Sequence, residues 1–202
     1  NPTGTFIPAD QIEAFLKQVP SNVVVVLDEA YNEFLTPEQQ YESTAWVKQY
    51  PNLLVSRTFS KAYGLAGLRV GFSIAQPAVT DLMNRVRQPF NVNSMAQAAA
   101  IAALNDTEFL EMGARNNAAG YRQFTQAFEA MGLQYVPSFG NFVLVKVGAD
   151  DDAGARVNLA LLRQGVIVRP VGNYGLPQWL RISIGLPQEN AVLIAALTKA
   201  LA

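Results

Sequence analysis

The loop at residues 56–71 carries the residue types that phosphate binding and amine chemistry require. Two hydroxyl side chains, Thr58 and Ser60, stand just before Lys61, small residues follow the lysine, and Arg69 comes eight positions after it. Hydroxyls and a guanidinium can donate to a phosphate while the lysine amine faces the ligand as a nucleophile. Short motifs of this kind also occur in ordinary polar loops, so the loop alone leaves both interpretations open.

A second polar cluster, residues 28–31, follows the β-branched run at 23–27. Such a run without alternation predicts a strand of a parallel sheet that is covered on both faces and ends at Asp28. Ligands bind beyond the carboxyl ends of strands in open α/β sheets, so we expect Asp28 and Lys61 to share one site. Glu29 points to the other side of the extended segment, and we assign it no catalytic role.

Helical and strand patterns alternate along the first half of the chain, which predicts an α/β fold. Asp10 and Glu13 form a capping-box pair before an apolar helical stripe, and residues 53–56 and 70–74 predict two further buried strands. More helices are predicted at residues 77–87 and 94–104 and from Asp106 to Gly132.

Shorter elements follow from residue 133 onward. We predict strands at residues 142–147, 166–169 and 180–184 and helices at 153–164 and 187–201. This pattern indicates a second, smaller α+β unit, and we place the boundary near Arg115, giving domains of residues 1–114 and 115–202. The aromatic series Tyr121, Phe124 and Phe128 in the long helix is interpreted as core.

The composition excludes several classes of protein. Fifteen Lys plus Arg against 16 Asp plus Glu give a net charge of -1, which offers no basic field for nucleic acid or an anionic membrane. The longest apolar runs fall short of the roughly 18 residues that a bilayer span requires. With no histidine and no cysteine, Ser-His-Asp triads, disulfides and thiolate metal sites are excluded. We expect a cytoplasmic enzyme without a metal, whose catalysis rests on Lys, Tyr, Asp, Glu or a cofactor.

The chain opens on Asn1 and a turn at residues 1–4, without an initiator Met. We therefore expect a fragment of a longer protein that exposes apolar surface.

Three blocks in order resemble one family. Residues 56–71 resemble the pyridoxal-phosphate (PLP) lysine region of fold-type I aminotransferases, and residues 1–4 and 28–31 resemble two further signatures of that superfamily. Residues 168–175 and 180–185 are similar to the histidinol-phosphate aminotransferase branch. The resemblance covers essentially the whole chain and corresponds to the C-terminal half to two-thirds of such enzymes. It implies part of a large PLP-binding domain with a mostly parallel sheet in three α/β/α layers, followed by a small α+β domain.

The resemblance implies a role for each motif residue. Lys61 would bind PLP covalently and move the proton at the substrate carbon, and Asp28 would pair with the pyridine nitrogen. Tyr31 and Asn1 would hydrogen-bond the 3′-oxygen of the cofactor. Taken alone, Asp28 could be a helix cap, Tyr31 core packing and Asn1 a turn residue before proline.

The anionic groups of cofactor and substrate would meet the remaining residues. Thr58, Ser60 and Arg69 would bind the cofactor phosphate, which matches the donors noted above. Arg181 would bind the α-carboxylate of amino-acid substrates, and Arg169 with Arg181 would hold the substrate phosphate. Taken alone, each of these two arginines could be a half-exposed structural residue.

The expected function is transamination between histidinol phosphate and 2-oxoglutarate by a homodimer, with a small-molecule amino donor and a 2-oxo acid as partners. Three alternatives stay open: a related PLP-dependent decarboxylase, an aromatic amino-acid aminotransferase, and the sensor portion of a PLP-type regulator. Carbon dioxide release without consumption of 2-oxoglutarate would indicate the decarboxylase.

Overall fold

The computed structural model describes all 202 residues, which form two compact units. We name Ile7–Glu111 the lysine unit, and Asn1–Phe6 together with Met112–Ala202 the arginine unit. The division into residues 1–114 and 115–202 stays a prediction.

The lysine unit alternates helices and strands before it becomes helical. Its elements in chain order are α1 (Ala9–Leu16), β1 (Val25–Asp28), α2 (Ser43–Gln49), β2 (Leu53–Thr58), β3 (Gly71–Ala75), α3 (Pro77–Val86), α4 (Ser94–Leu104) and the first turn of α5 (Thr107–Ala130). Single 3-10 turns occupy Asn32–Phe34 and Ala66–Leu68.

The sheet of the lysine unit has the order β1-β2-β3. Strands β1 and β2 are parallel, with Asp28 opposite Ser56. Strand β3 runs antiparallel to β2, with Gly71 opposite Thr58. The carboxyl ends of β1 and β2 and the start of β3 therefore lie at the same edge of the sheet, which we call the site edge.

The prediction that the first strand is covered on both faces is wrong for this chain. Val25 and Leu27 of β1 lie against an apolar cluster that α1 and α2 complete, whereas Val24 and Val26 are 58% and 59% exposed. Side chains alternate between the two faces of a strand, so the helices cover one face of β1 and the other face of β1 is exposed. The cluster consists of Ile12, Leu16, Val47, Leu53 and Val55.

The predicted capping box at Asp10 and Glu13 is also wrong. Helix α1 begins after Pro8, whose side chain has no acceptor, and no side-chain hydrogen bond caps the helix. Asp10 already lies in the first turn, where its charge suits the helix dipole. Glu13 forms an ion pair with Lys17 instead, at 3.1 Å.

The arginine unit continues after α5 with β4 (Tyr135–Val136), β5 (Phe142–Lys146), α6 (Ala153–Leu162), β6 (Arg169–Pro170), a 3-10 turn at Gly172–Tyr174, β7 (Trp179–Ser183) and α7 (Pro187–Leu201). Its four strands form a second sheet with the order β4-β5-β7-β6 and antiparallel neighbours throughout. Strand β6 is shorter and later than the predicted strand at 166–169. It ends at Pro170, which has no amide to donate to a ladder.

The core of the arginine unit forms where α5, α6 and α7 cover the inner side chains of β5 and β7. Phe124 and Phe128 are fully buried, with ring centroids 5.7 Å apart, and Tyr121 packs at the margin of the cluster. The prediction that these aromatics form core is confirmed. Among the helices of the chain, none is both long and apolar enough to cross a bilayer.

Candidate functional site

Lys61 lies in the loop that joins β2 to β3 at the site edge. Three backbone hydrogen bonds close this loop: the amide of Phe59 donates to Val70, that of Leu65 to Phe59 and that of Gly64 to Lys61, at 3.2, 2.9 and 2.9 Å. Gly64 adopts φ +71°, a conformation that side chains rarely tolerate, which suits the tight turn after the lysine. The backbone around Lys61 is therefore held in place.

The amine of Lys61 lies beside Tyr31. Its Nζ atom is 5.5 Å from the centroid of the Tyr31 ring, and the lysine has neither an ion pair nor a hydrogen bond from its side chain. The lysine side chain is half-buried. A half-buried amine without a carboxylate partner is available for covalent chemistry.

Asp28 and Thr58 are the last residues of the two parallel strands. Because Asp28 is opposite Ser56, and side chains alternate along a strand, Asp28, Ser56 and Thr58 share one face of the sheet. One carboxylate oxygen of Asp28 accepts from the amide of Ala30 at 3.1 Å. The carboxylate is otherwise exposed and can accept a further hydrogen bond.

The hydroxyl and guanidinium groups of the loop surround the same edge. The Thr58 hydroxyl oxygen accepts from the amide of Ser60 at 3.1 Å and keeps its own hydrogen to donate. Arg69, in the left-handed region at φ 53°, donates from Nη1 to the carbonyl of Ala66 at 2.8 Å. Its other N–H groups have no partner in the protein. Two hydroxyls and an exposed guanidinium form a donor set that suits a phosphate.

Six of the nine predicted site residues thus lie at the site edge. They are Asp28, Tyr31, Thr58, Ser60, Lys61 and Arg69. A carboxylate, a free amine and phosphate donors are the groups that PLP requires, so the residues present fit this cofactor. Their roles stay a prediction.

The other three predicted residues belong to the arginine unit. Arg169 on β6 is directly opposite Arg181 on β7, so both side chains stand on the same face of the second sheet. Arg181 donates from Nη1 to Oδ1 of Asn1 at 2.7 Å, and its guanidinium carbon is 4.9 Å from the centroid of the Phe142 ring. Its Nε atom is buried without a hydrogen-bond partner. Two arginines on one face of the sheet, neither with an ion pair, indicate a site for an anion.

The sequence interpretation missed a buried ion pair behind the site edge. Arg57 donates from Nε to Oε2 of Glu29 at 2.9 Å, and the Glu29 side chain is only 3% exposed. Burial raises the pKa of Glu33, and the Arg57 charge partly offsets this. Burial, with the Glu29 charge, raises the pKa of Tyr41 to about 12. The sequence did contain a signal for this pair. Side chains alternate between the two faces of a strand, so Glu29 after Asp28 and Arg57 before Thr58 point to the same face.

Phe142 was missed as well. Its ring lies against the guanidinium of Arg181, where a cation over an aromatic face is favourable. The first residue of a buried strand carries no sequence signal for such a contact.

Comparison with known proteins identifies relatives over the whole chain. A sequence model for the family "Aminotransferase class I and II" matches residues 1–197. Histidinol-phosphate aminotransferase 2 of Ralstonia nicotianae is 79% identical over 202 residues, which are 100% of this chain and 54% of that protein. The chain spans about half the length of the curated relatives it matches.

Solved structures agree with this likeness. Histidinol-phosphate aminotransferase from Sinorhizobium meliloti, solved in complex with pyridoxal-5′-phosphate, has a TM-score of 0.93 and 33% identity, covering 100% of this chain and 55% of that chain. L-threonine-O-3-phosphate decarboxylase from Porphyromonas gingivalis has a TM-score of 0.83 and 26% identity, covering 100% and 62%. The α/β fold class is confirmed by these matches.

Proposed function

The chain belongs to the aminotransferase class I and II family, and from this premise we propose that the whole protein is a PLP-dependent transaminase. The observation that carries the proposal is the amine of Lys61, half-buried at the site edge and 5.5 Å from the Tyr31 ring centroid. Around it stand a carboxylate and a set of phosphate donors.

Each residue at the site edge has a task that its chemistry permits. Lys61 would hold the cofactor covalently, and its amine would serve as the base that moves the proton at the substrate carbon. Asp28 holds a positive charge on the pyridine nitrogen, because an ionised carboxylate favours the protonated partner. When bound, PLP supplies the electron sink for the charge left on the substrate carbon.

The loop residues bind and orient the cofactor. Thr58 and Ser60 donate from their hydroxyls to its phosphate, and Arg69 adds a charged fork. The Tyr31 hydroxyl would hydrogen-bond the 3′-oxygen of the cofactor. For Asn1, whose amide oxygen accepts from Arg181, the cofactor contact implied by the resemblance stays a prediction.

The proposed substrates are histidinol phosphate and 2-oxoglutarate. Histidinol phosphate carries a dianionic phosphate and no α-carboxylate, so it needs more positive charge than an amino acid does. Arg169 and Arg181, opposite each other in the β6–β7 register, support this choice, because neither is neutralised by an acidic side chain.

The test replaces Lys61 with alanine in the full-length protein. The visible absorption band of bound PLP should disappear and turnover should fall by on the order of a thousandfold or more, since the anchor and the base are lost together. Lys48→Ala removes an exposed lysine of the same unit and should leave both unchanged. A full band in the Lys61 variant would remove this residue from the mechanism.

A decarboxylase is the second candidate, favoured by the likeness to L-threonine-O-3-phosphate decarboxylase. The same lysine, carboxylate and phosphate donors serve both reactions, so the product distinguishes them. Carbon dioxide release from an amino acid without 2-oxoglutarate consumption would show that the protein is a decarboxylase and not a transaminase.

A homodimer in the cytoplasm completes the proposal. The exposed apolar side chains of α3 and the loop after it support association, since Val86 is 84% and Phe90 97% exposed. Light scattering of the full-length protein tests the dimer, and cell fractionation tests the location.

A further inference from the structure

The ion pair of Glu29 and Arg57 lies on the opposite face of the sheet from the proposed cofactor contacts. Asp28 and Thr58 stand on the open face, and the residues beside them, Glu29 and Arg57, turn toward the face that α1 and α2 cover. Neither charged side chain can therefore contact a cofactor on the open face. The pair can therefore act on the site only without direct contact, and the backbone of the two strand ends connects it to Asp28 and Thr58.

The pair closes the last rung of the parallel ladder. The amide of Glu29 donates to the carbonyl of Ser56 at 2.9 Å, and the side chain of Glu29 accepts from Arg57 at 2.9 Å. One backbone bond and one side-chain bond thus join the two strand ends where Asp28 and Thr58 leave the sheet. A strand end held by only one bond would fray.

Stability alone is a poor explanation of this pair. One rung earlier, Leu27 and Val55 join the same two strands on the same face by apolar contact. A buried ion pair is often no more stabilising than an apolar pair of similar volume. Here Glu29 also has a second oxygen, Oε1, that is buried without a hydrogen bond. The ion pair selects the strand register, because the guanidinium nitrogen and the carboxylate oxygen meet only in one register of β1 and β2.

We propose that Glu29 and Arg57 are positioning residues, whose ion pair fixes the ends of β1 and β2 so that Asp28 and Thr58 hold the cofactor from a rigid base. The inference rests on the proposed PLP function for its cofactor readout. It assigns neither residue a contact with cofactor or substrate.

The first experiment measures cofactor binding in the full-length protein. Glu29→Gln keeps the shape of the side chain but removes the charge that Arg57 meets, and it should weaken PLP binding about tenfold in a titration of the cofactor-free protein. It should also shift the pH midpoint of the bound-cofactor absorption band, because Asp28 no longer sits firmly against the ring. Arg57→Lys, which keeps the charge but loses the planar fork, should restore part of the affinity relative to Arg57→Gln.

The matched control is Val55→Ala, a cavity-forming change on the same face and two residues before Arg57. It should lower the unfolding midpoint without moving the absorption midpoint or weakening PLP binding by more than about twofold. If Glu29→Gln and Val55→Ala affect PLP binding equally for the same loss of stability, the pair is structural and the inference fails.

Amide hydrogen exchange decides the inference without PLP. In Glu29→Gln the amide of residue 29 should exchange about tenfold faster, while the amide of Val55 in mid-strand stays protected. Unchanged exchange at residue 29 would overturn the positioning role. Failure of the wild-type protein to bind PLP would instead refute the proposed function, and the exchange result would still stand by itself.

Discussion

Replacing Arg169 with alanine removes one of two arginines that are opposite each other on β6 and β7. Arg181 remains, held by Asn1 at 2.7 Å and by the Phe142 ring at 4.9 Å. A carboxylate of glutamate can take both hydrogen bonds from the Arg181 fork alone. The dianionic phosphate of histidinol phosphate has a third oxygen and a second charge, and these need Arg169.

The size of the loss follows from exposure. A hydrogen bond to a charged group contributes about 1.5 to 3 kcal/mol, and the exposed position of Arg169 places it toward the lower value. Since 1.4 kcal/mol corresponds to a factor of ten, the histidinol-phosphate half-reaction should slow about 10- to 100-fold. The glutamate half-reaction should slow by no more than about threefold. Arg181→Ala should slow both half-reactions.

Removing Arg169 also relieves repulsion between the two cations. Charges about 5 Å apart in water repel by at most about 1 kcal/mol, so the variant without substrate should be as stable as the wild type or slightly more stable. A structural arginine would show the opposite sign on removal.

The assay is single-turnover conversion of the PLP-loaded full-length protein by histidinol phosphate and by glutamate, with the unfolding midpoint measured on the same samples. Arg163→Ala, an exposed arginine at the end of α6, is the control and should change neither. Equal losses for both amines in Arg169→Ala, together with a lower midpoint, would refute the reasoning and favour a general or aromatic amino-acid transaminase.

Two further changes test the lysine unit. Asp28→Ala should retain bound PLP but lose on the order of a hundredfold in turnover, because the pyridine nitrogen loses the partner that keeps it protonated; unchanged turnover would leave Asp28 as a turn residue. Burial raises the pKa of Glu33 above its ordinary 4.5, so the protonated form stabilises the fold below pH 4.5 and this contribution is lost as the pH rises through the raised pKa. The side chain in Glu33→Gln cannot ionise, so the unfolding midpoint of this variant should rise relative to that of the wild type between pH 4.5 and 7. Glu38→Gln, which changes an exposed residue with a lowered pKa, should show no such rise.

Much of the fold was predictable because the apolar residues recur with clear helical or strand periodicity in the sequence. The last helix was predicted at residues 187–201 and is observed as Pro187–Leu201, since Pro187 begins it and an apolar stripe continues to its end. The strand at 142–147 is observed at Phe142–Lys146. The coverage of β1 was not predictable, because a run of valines has the same sequence whether one face or both faces are packed.

The positions of Asp28 and Lys61 after strand ends were predictable for a different reason. Asp28 and Lys61 belong to contiguous motifs, and each motif directly follows a strand that its own residues reveal. The pairing of Arg169 with Arg181 is not contiguous, and it depends on which residues of β6 and β7 are opposite each other. The eleven residues between them do not determine that register.

The ion pair of Glu29 and Arg57 shows what a motif-based interpretation leaves out. Each residue adjoins a predicted site residue, Asp28 or Thr58, and alternation turns each of them away from the predicted ligand face. A residue that points away from the ligand is dismissed when it is considered alone, as Glu29 was. Considered together, two opposite charges that turn to the same covered face at the ends of neighbouring parallel strands must meet, since a buried charge without a partner would be costly. Where predicted site residues lie on one face of a strand end, the opposite face is therefore a place to search for positioning residues.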